Sequence, residues 1–242
     1  MASTILISDT LNWIEAFTAQ YSQSAVTGSS TEPGLTIANK IIQTILAPPF
    51  RWRWNRVESA ALFNTVAGTT DYVQVLSNFG YLEKTSIFLT GGDPPTRELE
   101  VVQNLAKDTK QNPPSQICAL LDDGAGNITF RISPAPDAVY AVTLIYQKAA
   151  TLVTNLSTSG VSNTWTPIPD YFAFLYEQGV LAHIQLMYEP QLAMASLELF
   201  FRQLVGAAEG LDSTQRAIFL EDKLREVRQM ATMQADIRKG RE

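Results

Sequence analysis

Apolar positions recur along this chain with two different periods, and the changes of period divide it. Ile7, Leu11, Ile14, Phe17 or Thr18, and Tyr21 fall at the spacing of one helix face. Asp9 and Thr10 are the candidate starting caps of that helix. The Gly/Ser/Thr-rich stretch from Ser22 to Gly34 reads as a loop. Ala38, Ile41, Ile42 and Ile45 then repeat at i, i+3, i+4 and i+7, which predicts a second helix. Pro48 and Pro49 end it, because proline has no N–H to donate and collides with the preceding turn.

From Phe50 the period drops to two. Phe50, Trp52 and Trp54 alternate with Arg51, Arg53 and Asn55, which predicts a strand with tryptophan on one face and arginine on the other. Gly68-Thr69-Thr70-Asp71 sits between Phe63–Val66 and Tyr72–Val75 and predicts a hairpin. A further strand is expected at Leu82–Leu89, ended by Gly91-Gly92-Asp93-Pro94-Pro95. Thr96–Lys110 is ambiguous, strand first and helix after. Gln116–Leu121 and Asn127–Ile132 flank Asp122-Asp123-Gly124-Ala125-Gly126, a second hairpin signal. Pro134-Ala135-Pro136-Asp137 is a turn, and Val139–Tyr146 is the strongest strand signal of all. Residues 50–148 therefore read as a β domain of six to eight strands.

The helical period returns after a polar linker, Thr151–Thr166. Tyr171, Phe174, Leu175 and Ile184 support a helix over Asp170–Tyr188, with Asp170 as its cap. Pro190 interrupts the chain, and Gln191–Ala207 forms a second helix. Gly210 and Asp212-Ser213 mark a stop and a new start. The last helix, Thr214–Ile237, carries a narrow apolar stripe, Leu220, Leu224, Val227 and Ala231. Glu221 and Arg225 are placed on it as an i, i+4 ion pair. The expected fold class is α+β: a helical bundle formed by N- and C-terminal helices, an inserted antiparallel β domain of sandwich or barrel type, and a long C-terminal helix. The expected domains are 1–49 for the first part of the bundle, 50–150 for the β domain, and 151–242 for the linker and second part.

Composition removes whole classes of chemistry. The 242 residues carry 18 Lys/Arg against 24 Asp/Glu, a net charge of −6, so a broadly basic nucleic-acid surface is not expected. One cysteine, Cys118, excludes an internal disulfide and a thiolate zinc cluster. One histidine, His183, excludes a multi-histidine metal site within the chain. No apolar run approaches the ~18 residues of a membrane span. Met1–Thr10 has neither a positive region nor a long apolar core, so no signal peptide is expected.

The remaining constellations have plain structural readings beside their chemical ones. A Ser-His-Asp site would need His183, which sits mid-helix beside Leu181 and Ile184, with no nucleophile-elbow motif anywhere. Asp122–Asn127 lacks the alternating ligands and the distant Glu of a calcium loop, and a turn explains its glycines and asparagine. Arg51–Arg56 could stack bases or place Arg over Trp; a domain-junction core built on Trp52 and Trp54 is the favoured reading. There is no phosphate-cradling glycine motif and no motif-placed carboxylate pair, so no catalytic, cofactor-binding or metal-binding residue is named. From Ser213 to Glu242 seven Lys/Arg face five Asp/Glu, a local +2 on a remainder of −8. Arg225, Arg228, Arg238, Lys239 and Arg241 are thus candidates for docking an acidic partner; a solvated helix with a basic tail is the equal alternative.

Several of these segments occur together in one known family. Trp54-Asn55-Arg56 followed by Phe63-Asn64-Thr65-Val66-Ala67-Gly68-Thr69-Thr70-Asp71-Tyr72 resembles a signature hairpin of tailed-phage head-to-tail adaptors, the tail tubular protein A group and its relatives. Asn112-Pro113-Pro114-Ser115, then Phe130–Tyr140 with its Pro134-Ala135-Pro136-Asp137, and Ile168-Pro169-Asp170 match that family in order and spacing. The resemblance implies a structural virion protein without catalysis or cofactor. It implies a homo-oligomeric ring, usually of twelve copies, that joins the portal protein to a tail nozzle or tail tube. DNA would pass through its lumen without sequence-specific binding, at the virion neck, after assembly in the host cytoplasm and with no membrane involved. The basic C-terminal helix would face the portal and the β domain the tail. An acidic body suits a conduit, since carboxylates repel phosphates and release no counterions. A tail-associated receptor- or glycan-binding module, with Trp52, Trp54 and Trp165 as its platform, is the competing class.

Overall fold

The computed structural model describes residues 3–18, 34–89, 97–122, 126–154, 156, 163–188 and 190–239. All of the expected Ser22–Gly34 loop except Gly34, the turns at Gly91–Pro95 and Asp123–Ala125, residues 155 and 157–162 of the Thr151–Thr166 linker, and Tyr21 of the first helical stripe lie outside those residues. Two compact units emerge: residues 1–54 with 151–242, and residues 55–150.

The first unit is helical. It contains α1 (Ile7–Thr18), α2 (Gly34–Leu46), α3 (Ala173–Tyr188), α4 (Pro190–Ala207) and α5 (Ser213–Lys239). α1, α2 and α4 all pack on α3, and α5 packs on α4. Of the stripes predicted for α1 and α2, Ile7, Leu11, Ile14, Ala38, Ile41, Ile42 and Ile45 are buried, joined by Ile37, while the Phe17 and Thr18 side chains lie outside the described residues. Leu175, Tyr176, Val180 and Ile184 of α3 are buried as well, and Ala182 is buried in a separate cluster with Leu197 and Val227. At 100° per residue these cover more than half of its circumference, as a helix enclosed by several neighbours requires. Gly179 permits the closest approach, since a Cβ there would lie 3.2 Å from both Ile41 and Phe200.

Helix starts differ from expectation in two places. Asp9 and Thr10 lie inside the first turn of α1, which begins at Ile7. The Thr10 hydroxyl instead accepts the Trp165 indole N–H at 2.9 Å. Asp170 opens a single 3₁₀ turn, Asp170–Phe172, that leads into α3 and caps nothing with its side chain. Its carboxylate serves a longer-range contact: it accepts the Ser3 hydroxyl at 2.6 Å, the Thr4 N–H at 3.0 Å and the Thr4 hydroxyl at 2.7 Å. The N-terminal segment is thereby clasped to the entrance of α3. α5 does begin where the sequence places it. The Asp212 carboxylate accepts the Gln215 N–H at 2.8 Å and the Gln215 side chain accepts the Asp212 N–H at 3.2 Å, a reciprocal capping box.

The second unit has seven strands among the described residues: β1 (Arg56–Asn64), β2 (Asp71–Val75), β3 (Phe79–Leu89), β4 (Arg97–Val101), β5 (Gln116–Asp122), β6 (Asn127–Ser133) and β7 (Tyr140–Lys148). Their order is β1-β7-β3-β4-β5-β6-β2. β4 joins two sheets, because Arg97–Leu99 pairs with β3 while Glu100 and Val101 pair with β5. Both sheets contribute to one core of Phe63, Tyr72, Leu99, Ile117, Ile128, Phe130, Ile132, Tyr140, Val142 and Leu144. The fold is α+β as expected, with a mixed rather than purely antiparallel sheet, since β4–β5 is parallel, and with no closed barrel.

Three local expectations change. Phe63–Val66 and Tyr72–Val75 are not a hairpin: β1 pairs with β7 and β2 with β6. The Gly68 turn is read correctly as a turn, yet it carries the chain between strands of different sheets. Phe50–Asn55 is not a strand; Arg51 makes one bridge to Glu209 and Arg53–Asn55 is a 3₁₀ turn. Burial nonetheless separates as expected for Phe50 and Trp52 against Arg51 and Arg53. Thr96–Lys110 gives β4 and then no helix. The expected hairpin of β5 with β6 is present, and Val139–Tyr146 becomes β7, central in its sheet between β1 and β3.

Glycine placement yields a stability test. A Cβ on Gly80, at the register shift of β3 against β7, would lie 2.8 Å from the Gln147 carbonyl and 2.9 Å from the Ala149 nitrogen. Backbone on both sides cannot yield cheaply, so Gly80→Ala destabilises by about 1–3 kcal/mol. Gly206, exposed in α4 with nothing within 4 Å of its Cβ position, gains about 0.5–1 kcal/mol on Gly206→Ala. Thermal melts followed by circular dichroism check both signs.

Candidate docking surfaces

The two tryptophans assigned to a junction core lie in the helical unit. Trp52 is 1% exposed, and its indole N–H donates to the Ile45 carbonyl at 2.8 Å, tying it to the end of α2. Its ring stacks on half-buried Trp54 at 5.3 Å and meets Phe172 edge-on at 5.3 Å. Arg53 points away to an exposed ion pair with Glu209 at 2.9 Å. A pair that open to water contributes little stability. Among the described residues the cation–π contact is Lys223 over Phe219, not arginine over tryptophan. Trp165 is fully buried, stacked on Tyr176 at 4.4 Å. A sugar needs an open ring face to stack on, and neither Trp52 nor Trp165 offers one.

The other residues weighed for chemistry are structural. His183 is buried, with Nδ1 2.7 Å from the Gly179 carbonyl, so Nδ1 carries the proton and donates back along α3. Burial holds its pKa below the ordinary value, which keeps the ring neutral. Cys118 is buried in β5, and burial raises its thiol pKa. Among the described residues no group of three or more His, Cys, Asp or Glu is placed to hold a metal ion. No helix there is long and apolar enough to cross a membrane.

The basic residues of α5 are partly engaged by their own helix. Arg225 pairs with Asp222 at 2.7 Å, one turn back, rather than with Glu221 as the spacing predicts. Lys223 pairs with Glu226 at 2.8 Å. Arg228 is exposed. Arg238 and Lys239 lie in the last turn of α5 with side chains outside the described residues, and Arg241 lies outside them altogether. Arg216 turns back to the Ala208 and Leu211 carbonyls at 3.1 and 3.2 Å, fastening α5 to the end of α4. Of the expected stripe Val227 is buried, against Ala182 and Leu197, Leu220 and Leu224 are half-exposed, and the Ala231 side chain lies outside the described residues. Ile218 is left exposed beside a cleft of about 310 Å³ lined by Pro49, Arg51, Leu211 and Phe219. On α1 and α3, Trp13 and Phe174 are exposed around a second groove with Glu177, Gln178 and Gln203. The helical unit thus presents aromatic and aliphatic side chains to solvent on several helices.

The segments that carried the resemblance are turn locks. Thr65 accepts the Tyr140 N–H at 2.8 Å with its hydroxyl, which donates to the Ala138 carbonyl at 2.9 Å. The Tyr72 hydroxyl donates to the Thr69 carbonyl at 2.7 Å and accepts the Val66 N–H at 3.1 Å. Gly68, at φ +77°, donates to the Pro136 carbonyl at 2.8 Å. Asp137 accepts the Tyr140 hydroxyl at 2.7 Å. Thr65 and Gly68 thus hold the two adjacent turns together, while Tyr72 and Asp137 each brace their own turn.

An ion pair that the sequence reading missed fixes β2 on β6. Arg131 grips Asp71 through two bonds of 2.7 and 3.0 Å and reaches the Leu105 carbonyl at 3.3 Å. The two residues are directly opposite in register, which no local pattern reveals because they are sixty positions apart.

Compared with known families, residues 36–221 match the model described as SU10 adaptor protein. That span runs from α2 into the first turns of α5, and the docking candidates Arg225 to Arg241 lie beyond it. No curated protein matches the chain.

The Arg131 guanidinium beside Asp71 holds its carboxyl below the ordinary 3.8. The folded value lies under the unfolded one, so the pair's stabilisation is present above the unfolded value and is lost as pH falls through the folded one. Asp71→Asn should cost about 1 kcal/mol at neutral pH. Urea melts of wild type and variant should converge as pH falls progressively below the ordinary 3.8.

Proposed function

The chain belongs to the SU10 adaptor protein family, a family of phage head-to-tail adaptors, and from that premise we propose a structural role at the virion neck. In this reading the chain assembles as a homo-oligomeric ring, of twelve copies, joining the portal to a tail nozzle or tail tube and surrounding the path of the DNA. The match over most of the chain carries the proposal, and the family is structural rather than enzymatic.

The physical features agree with it. Trp13, Phe174, Leu192, Leu199 and Ile218 are exposed on four helices of one unit, and a head-to-tail ring consumes two different faces of each copy. A net charge of −6 disfavours a grip on passing DNA, because tight binding to phosphates needs lysine and arginine to displace counterions. Trp52 and Trp54 belong to the packing that carries the chain out of the helical unit. Arg225, Arg228, Arg238, Lys239 and Arg241 are assigned to the portal side, where a basic helix end suits an acidic partner. The β unit is assigned to the tail side.

The decisive experiment is electron microscopy of the purified chain with and without portal protein. Rings that seat on the portal support the role, and their absence from the vertex of purified particles overturns it. A chain truncated before Thr232 should lose portal binding at least tenfold in a pull-down while the β unit keeps its melting transition. Unchanged binding would remove the C-terminal helix from the interface.

A further inference from the structure

We infer that the free edge of β2 is a strand-addition site, built to take an extended segment of a different polypeptide as one more strand of the sheet. The first observation is the direction of the backbone groups. The Ile132 N–H donates to the Thr70 carbonyl at 2.9 Å and the Leu76 N–H to the Gly126 carbonyl at 3.0 Å. These bonds flank β2 and share the register of the β2–β6 pair. In an antiparallel pair, bonded and non-bonded residues alternate. Tyr72 and Gln74 therefore bond to β6, while the N–H and C=O of Asp71, Val73 and Val75 point outward. Among the described residues nothing meets those outward groups.

The side chains agree. Val73 and Val75 are 61% and 74% exposed, on the same face as Asp71, away from the core that holds Tyr72. A protein protects a bare edge with a bulge, proline or charge. β2 has no proline and an unbroken register with β6. Its one charge, Asp71 at its start, is held by Arg131 with Lys107 at 3.8 Å, leaving Val73 and Val75 without such protection. The opposite edge of the same unit is protected. β1 is broken by a bulge between Ser59 and Phe63, holds Ala61 at φ +49°, and carries Arg56 and Glu58. The contrast within one unit marks the β2 edge as a place kept open. Asp71 is pinned by Arg131, which fixes the edge in one register before any partner arrives.

The occupant follows from the geometry. Two β2 edges paired with each other form a two-fold dimer, whereas ring contacts are head-to-tail. β2 against β1 of a second copy would meet the bulge and its charges. A segment of another virion protein remains, extended over about five residues. It carries small or β-branched apolar side chains at alternate positions beside Val73 and Val75, and no proline where it faces β2. The inference rests on the adaptor reading for the presence of that neighbour.

Amide hydrogen exchange, on the full-length chain alone and on purified particles that contain it, tests the site. In the isolated chain the Val73 and Val75 amides should exchange at least tenfold faster than those of Tyr72 and Gln74. In particles they should slow at least a hundredfold. Val73→Pro removes one outward donor at a position where an edge strand tolerates proline. It should melt within a few degrees of the wild type and be recovered in particles at under a tenth of its level. Rapid exchange of Val73 and Val75 in particles that hold the chain overturns strand addition and leaves the adaptor role standing. Protection already present in the isolated chain, whether or not dilution removes it, also overturns it. Particles without the chain overturn the adaptor role itself.

Discussion

The burial demand of α3 governs the helical unit. α1, α2 and α4 each carry an apolar stripe that water disfavours, and all three place it against this one helix. α1 and α2 come from the start of the chain, and α3 and α4 from its last third, so the two ends must meet. The Asp170 clasp on Ser3 and Thr4 and the Trp165 indole bonded to Thr10 hold the same junction from the polar side. The Ser3 and Thr4 bonds draw the Asp170 carboxyl below its ordinary pKa, so the clasp is made by the charged form. Residues 55–150 are left to fold as a continuous insert.

Within that insert, β4 is the corresponding constraint. It pairs with β3 through its first half and β5 through its second, so one short strand serves two sheets and brings their apolar faces together. The family's turn motifs are intelligible in those terms. Thr65 and Gly68 hold the 65–72 and 134–140 turns together, and Tyr72 and Asp137 stiffen each turn from within, where strands change from one sheet to the other. An adaptor that works by shape has its specific residues at such corners, because a displaced corner misplaces every surface beyond it.

The arginines illustrate the separation between signal and role. Arg53, Arg56 and Arg131 sit in segments that the sequence marks as basic or strand-forming. Arg53 ends in solvent beside Glu209, Arg56 lies 3.9 Å from Glu83, and Arg131 alone forms a two-pronged, half-buried grip. Partner position, not charge density, makes that difference.

What the sequence determined by itself was local. Periodicity placed the helices around Ile14, Ile41 and Ile184 and the strand at Val142, since side-chain spacing follows directly from residues per turn. Cysteine and histidine counts limited the chemistry, and clustered turn motifs pointed to the family. Tertiary structure decided what distant partners decide. β1 pairs with β7 rather than β2, because bonds to the central strand outweigh a nearby turn signal. Phe50–Asn55 gives up its strand to bury Trp52 under Phe172. Arg225 chooses Asp222 over Glu221. Above all, the exposure of Val73 and Val75 on an open edge was invisible in the sequence, because the same alternating pattern describes a strand with two neighbours or with one.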